Sequence, residues 1–194
     1  MNDTNLILAS QSPRRRQLLD EAGYRFTIIT PSEAAEDGRR RGESPAELVA
    51  RLARQKAADV ARRVESGLVL GCDTVVTLDD VEQRDGRILG KPDDEAHARA
   101  MLETLSGRRH RVLSGLCLWQ VPGDRVIVRV AVATLEMDRL SEDQLAAYLA
   151  SGGWRGKAGA FGYQDRLGWV HVTEGSESNV VGLPMELLAE MLAS

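Results

Sequence analysis

The chain of 194 residues is short of the residues that cross-link a fold or bind soft metals. Its two cysteines, Cys72 and Cys117, lie far apart and in no CxxC arrangement. A disulfide framework and a thiolate zinc site are therefore not expected, and a reducing compartment fits. An excess of positive charge is also lacking: 25 Lys and Arg stand against 29 Asp and Glu, for a net charge of −4. Proteins that coat a nucleic-acid duplex need a basic face to displace counterions, so no nucleic-acid partner is expected. Long apolar runs are missing. The longest stretch free of Asp, Glu, Lys and Arg covers residues 112–123, whereas a bilayer-spanning helix needs ~20 apolar residues. The opening MNDTNLILAS has neither a basic n-region nor a long apolar core. No secretory signal and no membrane partner are expected, and the chain reads as cytoplasmic. H-E-x-x-H, P-loop and G-x-S-x-G patterns are absent from the sequence.

What remains, 43% apolar and 28% charged residues, is the composition of an ordinary globular protein. The length predicts a single domain over residues 1–194. Residues 5–10 and 25–30 predict strands, and Ser12-Pro13 predicts a capped helix start between them, with Gly23 as its stop. Residues 34–43, containing Arg39-Arg40-Arg41, predict a loop. Ser44-Pro45-Ala46-Glu47 is a capping box with proline at the first helical position. Val49, Leu52, Lys56, Val60 and Val64 then fall at helical spacing, with an expected end near Ser66-Gly67. Residues 68–72 predict a strand that stops at Asp73-Thr74, and residues 75–78 and 87–89 a hairpin around 79–86. Asp93 or Asp94 caps a helix reaching Leu105. Residues 112–121 and 125–134 predict long strands around Pro122-Gly123-Asp124. Ser141, with Gln144 three residues on, caps a helix to about Ala150. A glycine-rich functional loop over 151–162, a strand over 167–172 and a helix over 184–192 complete the chain. Strands alternating with helices, plus hairpins, predict an α/β fold: a mixed sheet flanked by helices, with two lobes around a central cleft.

Chemistry can sit at several places. Ser10-Gln11-Ser12-Pro13-Arg14-Arg15-Arg16 joins a strand to a helix N-terminus. Free N–H groups and a partial positive charge attract anions there, and guanidinium groups match phosphate oxygens. Successive helical residues point ~100° apart, so the three arginines cannot all face one ligand. Arginines in a first turn oppose the helix dipole, which favours a phosphate site over a merely solvated face. Asp73, at the end of an apolar strand, can hold a divalent metal or deprotonate a water; taken alone, it reads first as a turn aspartate bonding its own backbone. Lys56 lies on an otherwise apolar helix stripe, where lysines usually snorkel to the surface. Lys91, before Pro92, offers a point charge to phosphate. Asp93-Asp94-Glu95 is explained by capping. His97 reads as a surface helix residue, His171 as a strand residue and His110 as ambiguous, while Asn179, Gly182 and Pro184 read as architectural.

Taken in order, LILASQSPRRRQLL, RLARQKA, GCDTVV, ILGKP, LSGRRHRVLSG, GKAGAFGYQ and SNVVGLP resemble the Maf family of nucleoside triphosphate pyrophosphatases. The resemblance covers nearly the whole chain. It implies an inosine-triphosphatase-like fold and hydrolysis of a nucleoside triphosphate to monophosphate and pyrophosphate. It also implies a divalent cation, magnesium with manganese or cobalt as alternatives, and a homodimer. In this picture Asp73 is the acidic catalytic residue that activates water, directly as a base or through the metal as its ligand. Ser10, Arg14, Arg15, Lys56 and Lys91 hold the phosphates, and Arg14, Thr74 and Gln164 set specificity. Those three resemble the branch acting on dTTP and UTP, and a glutamine amide suits the mixed donor–acceptor edge of a pyrimidine. The chain departs from the family pattern at Tyr163 and Asp165, where Ile and Gly are common, and at 32–37, where either Glu33 or Glu36 takes the place of a family glutamate. Two other readings are a pyrophosphatase preferring 7-methyl-GTP or another modified nucleotide, and a nucleotide-sensing regulator of septum formation.

Overall fold

The computed structural model describes residues 5–78 and 87–194. Strand β1 (Leu6–Ala9) is buried along its whole length. Helix α1 (Pro13–Glu21) follows directly, because the Ser12 side chain accepts from the Arg15 amide and Pro13 supplies the φ of a first helical residue. Strand β2 (Phe26–Ile28) runs parallel to β1. Helix α2 (Pro45–Ala61) opens on a complete Ser44–Glu47 capping box. It stops short of the expected Ser66-Gly67, because the Arg63 amide turns back onto the Val60 carbonyl and tightens the last turn.

The main correction concerns the next strand. Sequence alone breaks it at Asp73-Thr74, yet β3 (Gly67–Leu78) is continuous. The reason is non-local: β5 (Arg109–Val121) pairs antiparallel with it from Gly67 to Thr77 and keeps the backbone extended. On the other side of β3, β1 pairs in parallel only as far as Gly71, and β4 (Arg87–Leu89) pairs only from Val76. Residues 72–75 therefore form a gap in that edge, with Asp73 and Thr74 inside it. The connection expected over 79–86 lies outside the described residues.

Asp94 caps α3 (Glu95–Leu105) by accepting from the His97 amide. β6 (Val126–Met137) pairs with β5 and extends three residues beyond expectation, because β7 (Val170–Glu174) holds its far end. β7 starts at residue 170 instead of 167; left-handed Arg166 and Gly168 shape the turn before it. α4 (Glu142–Ala150) has the expected Ser141–Gln144 capping box. A short helix, α5 (Glu177–Val181), lies within the segment read as architectural, and α6 (Met185–Ala193) ends the chain. The mixed sheet has the order β2-β1-β3-β5-β6-β7, with β4 beside β3.

One face of this sheet carries two apolar clusters. The first takes Leu70 and Cys72 from β3 and packs them with Leu8, Leu19 and Leu188. The second takes Val76 and Leu78 and packs them with Leu102, Leu135 and Trp169. Thr74 falls between them and meets the Ser114 hydroxyl at 2.8 Å, so polarity begins where the two cores part. On the opposite face α2 lies across β3 and β5. Its approach is set by glycine: a Cβ on Gly71 would overlap the Ala53 carbonyl oxygen, and one on Gly115 the Val49 carbonyl. Cys72 and Cys117 are buried and unpaired. Among the described residues no helix is long and apolar enough to cross a membrane.

Two outcomes follow from this packing. Gly115→Ala meets backbone that cannot move aside, so we expect a loss of about 3 kcal/mol and a Tm lower by roughly 6–12 °C in a thermal melt. His110 is 1% exposed and stands edge-on to Phe161 at 5.3 Å. Burial pushes its imidazole from the ordinary 6.5 down to about 4. It is therefore neutral in the fold but protonated in the unfolded chain below pH 6.5. The stability it contributes is complete above 6.5 and lost as pH falls towards 4, by up to about 3 kcal/mol. Urea denaturation of His110→Leu should show a flatter decline over that window than the parent; parallel declines would refute the assignment.

Candidate active site

The gap in β3 opens into a cavity of about 730 Å³. Every element beside it contributes. The β1–α1 turn brings Ser10, Arg14 and Arg15; α2 brings Lys56; β3 brings Asp73 and Thr74; the turn after β4 brings Lys91. The 151–162 loop adds Arg155 and Lys157, and the segment after β2 adds Glu33 and Glu36. Six basic side chains thus face three carboxylates around one cavity.

Its centre is Lys56. The ammonium donates to Asp73 Oδ1 at 2.8 Å and lies 3.0 Å from Glu36 Oε1. The expectation that lysine on an apolar stripe snorkels to the surface fails here, since its side chain is only 8% exposed. The ion pairs explain why: a buried ammonium is tolerable only when partnered. Glu36, one of two residues left open by the sequence, is the one that pairs with Lys56, while Glu33 lines the wall. Burial pushes the Glu36 carboxyl up, but the charge and hydrogen bond of Lys56 outweigh it and hold the group below the ordinary carboxylate range.

The arginines divide as helix geometry requires. Arg16 points away and pairs with Asp20, both exposed. Arg14 reaches across the cavity mouth and donates to the Gly156 carbonyl at 3.1 Å. Burial, then the charge of Arg15, lower its pKa, so an arriving anion would relieve a real electrostatic cost. Arg15 is a buried strut. It donates to the Gly182 carbonyl at 2.9 Å, to Ser10 Oγ at 3.0 Å and to Thr74 Oγ1 at 3.2 Å. Its guanidinium thereby joins three chain segments while still lining the cavity. Ser10 Oγ also accepts from the Ser12 amide, which leaves its one proton for a ligand. Lys91 is exposed at the wall.

A second cavity of about 690 Å³ adjoins the first, with Arg14, Gln164 and Val181 lining both. Its walls include Leu18, Tyr163, Leu167 and Val170, so it is the less charged of the two. Tyr163, one of the departures, does not fill it: the hydroxyl is held by Glu177 at 2.8 Å. Lys157 and Arg155 were not singled out from sequence, although Lys157 stands in the quoted GKAGAFGYQ segment. The remaining histidines behave as read: His97 is exposed on α3, and His171 on β7 meets Asp138.

Among the described residues no three His, Cys, Asp or Glu side chains form a ready metal cage. Asp73 and Glu36 nevertheless meet at one ammonium, and two hard carboxylate donors suit a magnesium ion that takes its other ligands from phosphate and water.

A mixed α/β sheet interrupted at its centre, with cations and carboxylates converging on the interruption, defines an anion-handling α/β protein with the furniture of a phosphate-transfer enzyme. The chain belongs to the Maf-like protein family, whose model matches residues 5–194. It is 51% identical over 192 residues to a Rhodopirellula baltica protein named dTTP/UTP pyrophosphatase, covering 98% of this chain and 82% of that one. A Ruminiclostridium cellulolyticum protein of the same name is 39% identical over 190 residues, covering 97% and 94%. Among solved structures, a HAM1 protein from Coxiella burnetii is 20% identical, covering 71% of this chain and 74% of that one with a TM-score of 0.46.

The Lys56 arrangement makes a clear prediction. Lys56→Met leaves Asp73 and Glu36 without their shared cation and should cost about 1–3 kcal/mol at pH 7. The wild-type benefit is present above the ordinary carboxylate range and fades as Glu36 takes up a proton. The difference between the two proteins in urea melts should therefore narrow only as the pH falls below the ordinary carboxylate value of 4.5; a constant difference there would contradict the pairing.

Proposed function

We propose that this protein hydrolyses the bond between the α- and β-phosphates of nucleoside triphosphates, dTTP and UTP foremost, releasing the monophosphate and pyrophosphate. The observation that carries this reading is Lys56 bridging Asp73 and Glu36 within a cavity of cationic excess. Phosphoryl transfer asks mainly for positioned charge around a developing negative one. Arg14, Lys56 and Lys91 supply it, with Ser10 donating its hydroxyl proton. Arg15 acts at the same wall while keeping the β1–α1 turn, Thr74 and Gly182 in register. Among the described residues no hydrogen bond reaches the second carboxylate oxygen, Asp73 Oδ2, so that atom can accept the proton of an attacking water. Lys56 fixes the carboxylate for that task. A magnesium ion held by Asp73 and Glu36 would neutralise phosphate charge. The phosphates occupy the charged cavity and the base the adjoining one, with Gln164 between them presenting both a donor and an acceptor to a pyrimidine edge.

The test is pyrophosphate release with magnesium over dTTP, UTP, CTP, the purine triphosphates and 7-methyl-GTP. Asp73→Asn should lower kcat by roughly 10²–10⁴-fold with the fold intact. Gln164→Glu should shift the UTP-to-purine ratio of kcat/KM by about tenfold. An unchanged ranking would remove Gln164 from the base pocket. No metal-dependent turnover of any nucleotide would leave nucleotide binding without hydrolysis as the better account.

A further inference from the structure

The 151–162 loop carries a cation that the reading above does not use. Lys157 lines the phosphate-side cavity, yet its side chain is only 11% exposed. Its ammonium is paired with the Asp165 carboxylate. That carboxylate is fixed in turn: the Tyr148 hydroxyl donates to Asp165 Oδ2 at 3.2 Å. The Tyr148 ring is itself immobilised, standing edge-on to Trp169 at 5.5 Å and packed beside Gly153. Burial, and then the charge of Asp165, push the Tyr148 hydroxyl well above its ordinary pKa, so it stays a donor. Gly162 completes the arrangement, because a Cβ there would overlap the Lys157 ammonium and crowd Asp165.

The chain Trp169–Tyr148–Asp165–Lys157 thus ends on an ammonium at the cavity wall. One of its three donors is taken by Asp165; among the described residues no other hydrogen bond engages it. The neighbouring residue, Gly156, is the one that Arg14 holds across the cavity mouth, which places Lys157 beside an established cation of the wall. A salt bridge by itself is satisfied by partial exposure to water and needs no tyrosine to orient it. An ammonium kept almost dry, oriented through a packed tyrosine and left with spare donors is pre-organised for an anion.

We propose that Lys157 is a ligand for the phosphate tail of the nucleotide, and for the pyrophosphate product, with Asp165 as the positioning residue that acts through it. The inference rests on the nucleotide reading for the identity of the anion, but not for its existence.

The experiment pairs turnover of UTP with calorimetric binding of inorganic pyrophosphate in magnesium, for wild type, Lys157→Met, Lys157→Arg, Asp165→Asn and the Lys157→Met/Asp165→Asn double variant. Loss of one charge-assisted contact should weaken pyrophosphate binding and raise KM by roughly tenfold in Lys157→Met, with kcat changed much less. Lys157→Arg should recover part of the loss. Asp165→Asn should cost several-fold alone and nothing further in the Lys157→Met background, as one pathway requires. If Lys157→Met does not fold, Tyr148→Phe, which removes only the orienting hydroxyl, should raise KM in the same sense, and an unchanged KM there overturns the proposal. Unchanged pyrophosphate affinity and KM in a folded Lys157→Met overturn it while leaving the proposed reaction intact. Additive effects of the two substitutions overturn the role of Asp165. A wild-type protein that binds pyrophosphate through Lys157 but hydrolyses no nucleotide would uphold this site and sink the reaction.

Discussion

The structure depends on how closely α2 lies against the sheet. A helix packed on a strand pair through ordinary side chains stands about 10 Å away, too far for a lysine on its inner face to stay buried and still meet a strand carboxylate squarely. Here Gly71 and Gly115 remove the spacer. Gly115 is the direct cross-strand partner of Asp73, and Gly71 lies two residues earlier on the same face. The backbone of α2 at Val49 and Ala53 settles into the space the missing Cβ atoms leave. Lys56, just under one turn beyond Ala53, then reaches Asp73 at 2.8 Å. The same closeness explains the alanines at 53 and 57, since any larger side chain at this contact would lift the helix. Core packing and site geometry are thus one requirement, and the ion pair is its visible consequence.

The second constraint is topological. In a fully paired sheet Asp73 and Thr74 would be flanked on both sides and covered. The parallel partner β1 ends at Ala9, opposite Gly71, because the chain must leave the sheet to start α1. The antiparallel partner β4 reaches only Val76. The interval is wide enough to expose two side chains of opposite orientation, one towards α2 and one towards Arg15 and Gly182. Open α/β sheets place ligands where neighbouring strands diverge for the same reason. This chain achieves the divergence by joining a parallel portion to an antiparallel one along a single long strand.

That history explains what could be read in the sequence and what could not. Helix starts were legible because caps are local: Ser12-Pro13, Ser44-Pro45 with Glu47, and Ser141 with Gln144 all act within one turn. The mixed sheet and most strands were legible from apolar runs. The continuity of β3 was not, since the aspartate at Asp73-Thr74 argues for a break and only pairing with β5 overrules it. The burial of Lys56 was hidden similarly, because periodicity places a residue on a face without naming what that face meets. Arg15 shows the converse. Its run of arginines suggested phosphate, but its long-range bonds to Ser10, Thr74 and Gly182 make it a fastener as well. Lys157 was passed over because its partners, Asp165 and Tyr148, are assembled by a loop fold that no local pattern announces.

Charge completes the argument. The whole chain is acidic, with a net charge of −4, while its cavity gathers six cations against three carboxylates. Such a local excess repels itself and must be held in place. Arg51 does this on one side: it bonds Glu43 at 2.6 Å, Asp37 at 2.6 Å and the Gly38 carbonyl at 3.0 Å. These bonds hold the Glu43 carboxyl down to about 2 and fasten the loop that delivers Glu36 to Lys56. Arg15 does it from below through neutral oxygens, and Asp165 from the far loop through a carboxylate. Arg14, Arg15, Lys56 and Lys157 are thereby kept at the wall by partners that leave part of their hydrogen-bonding capacity unused. A ligand carrying several negative charges would satisfy these cations together.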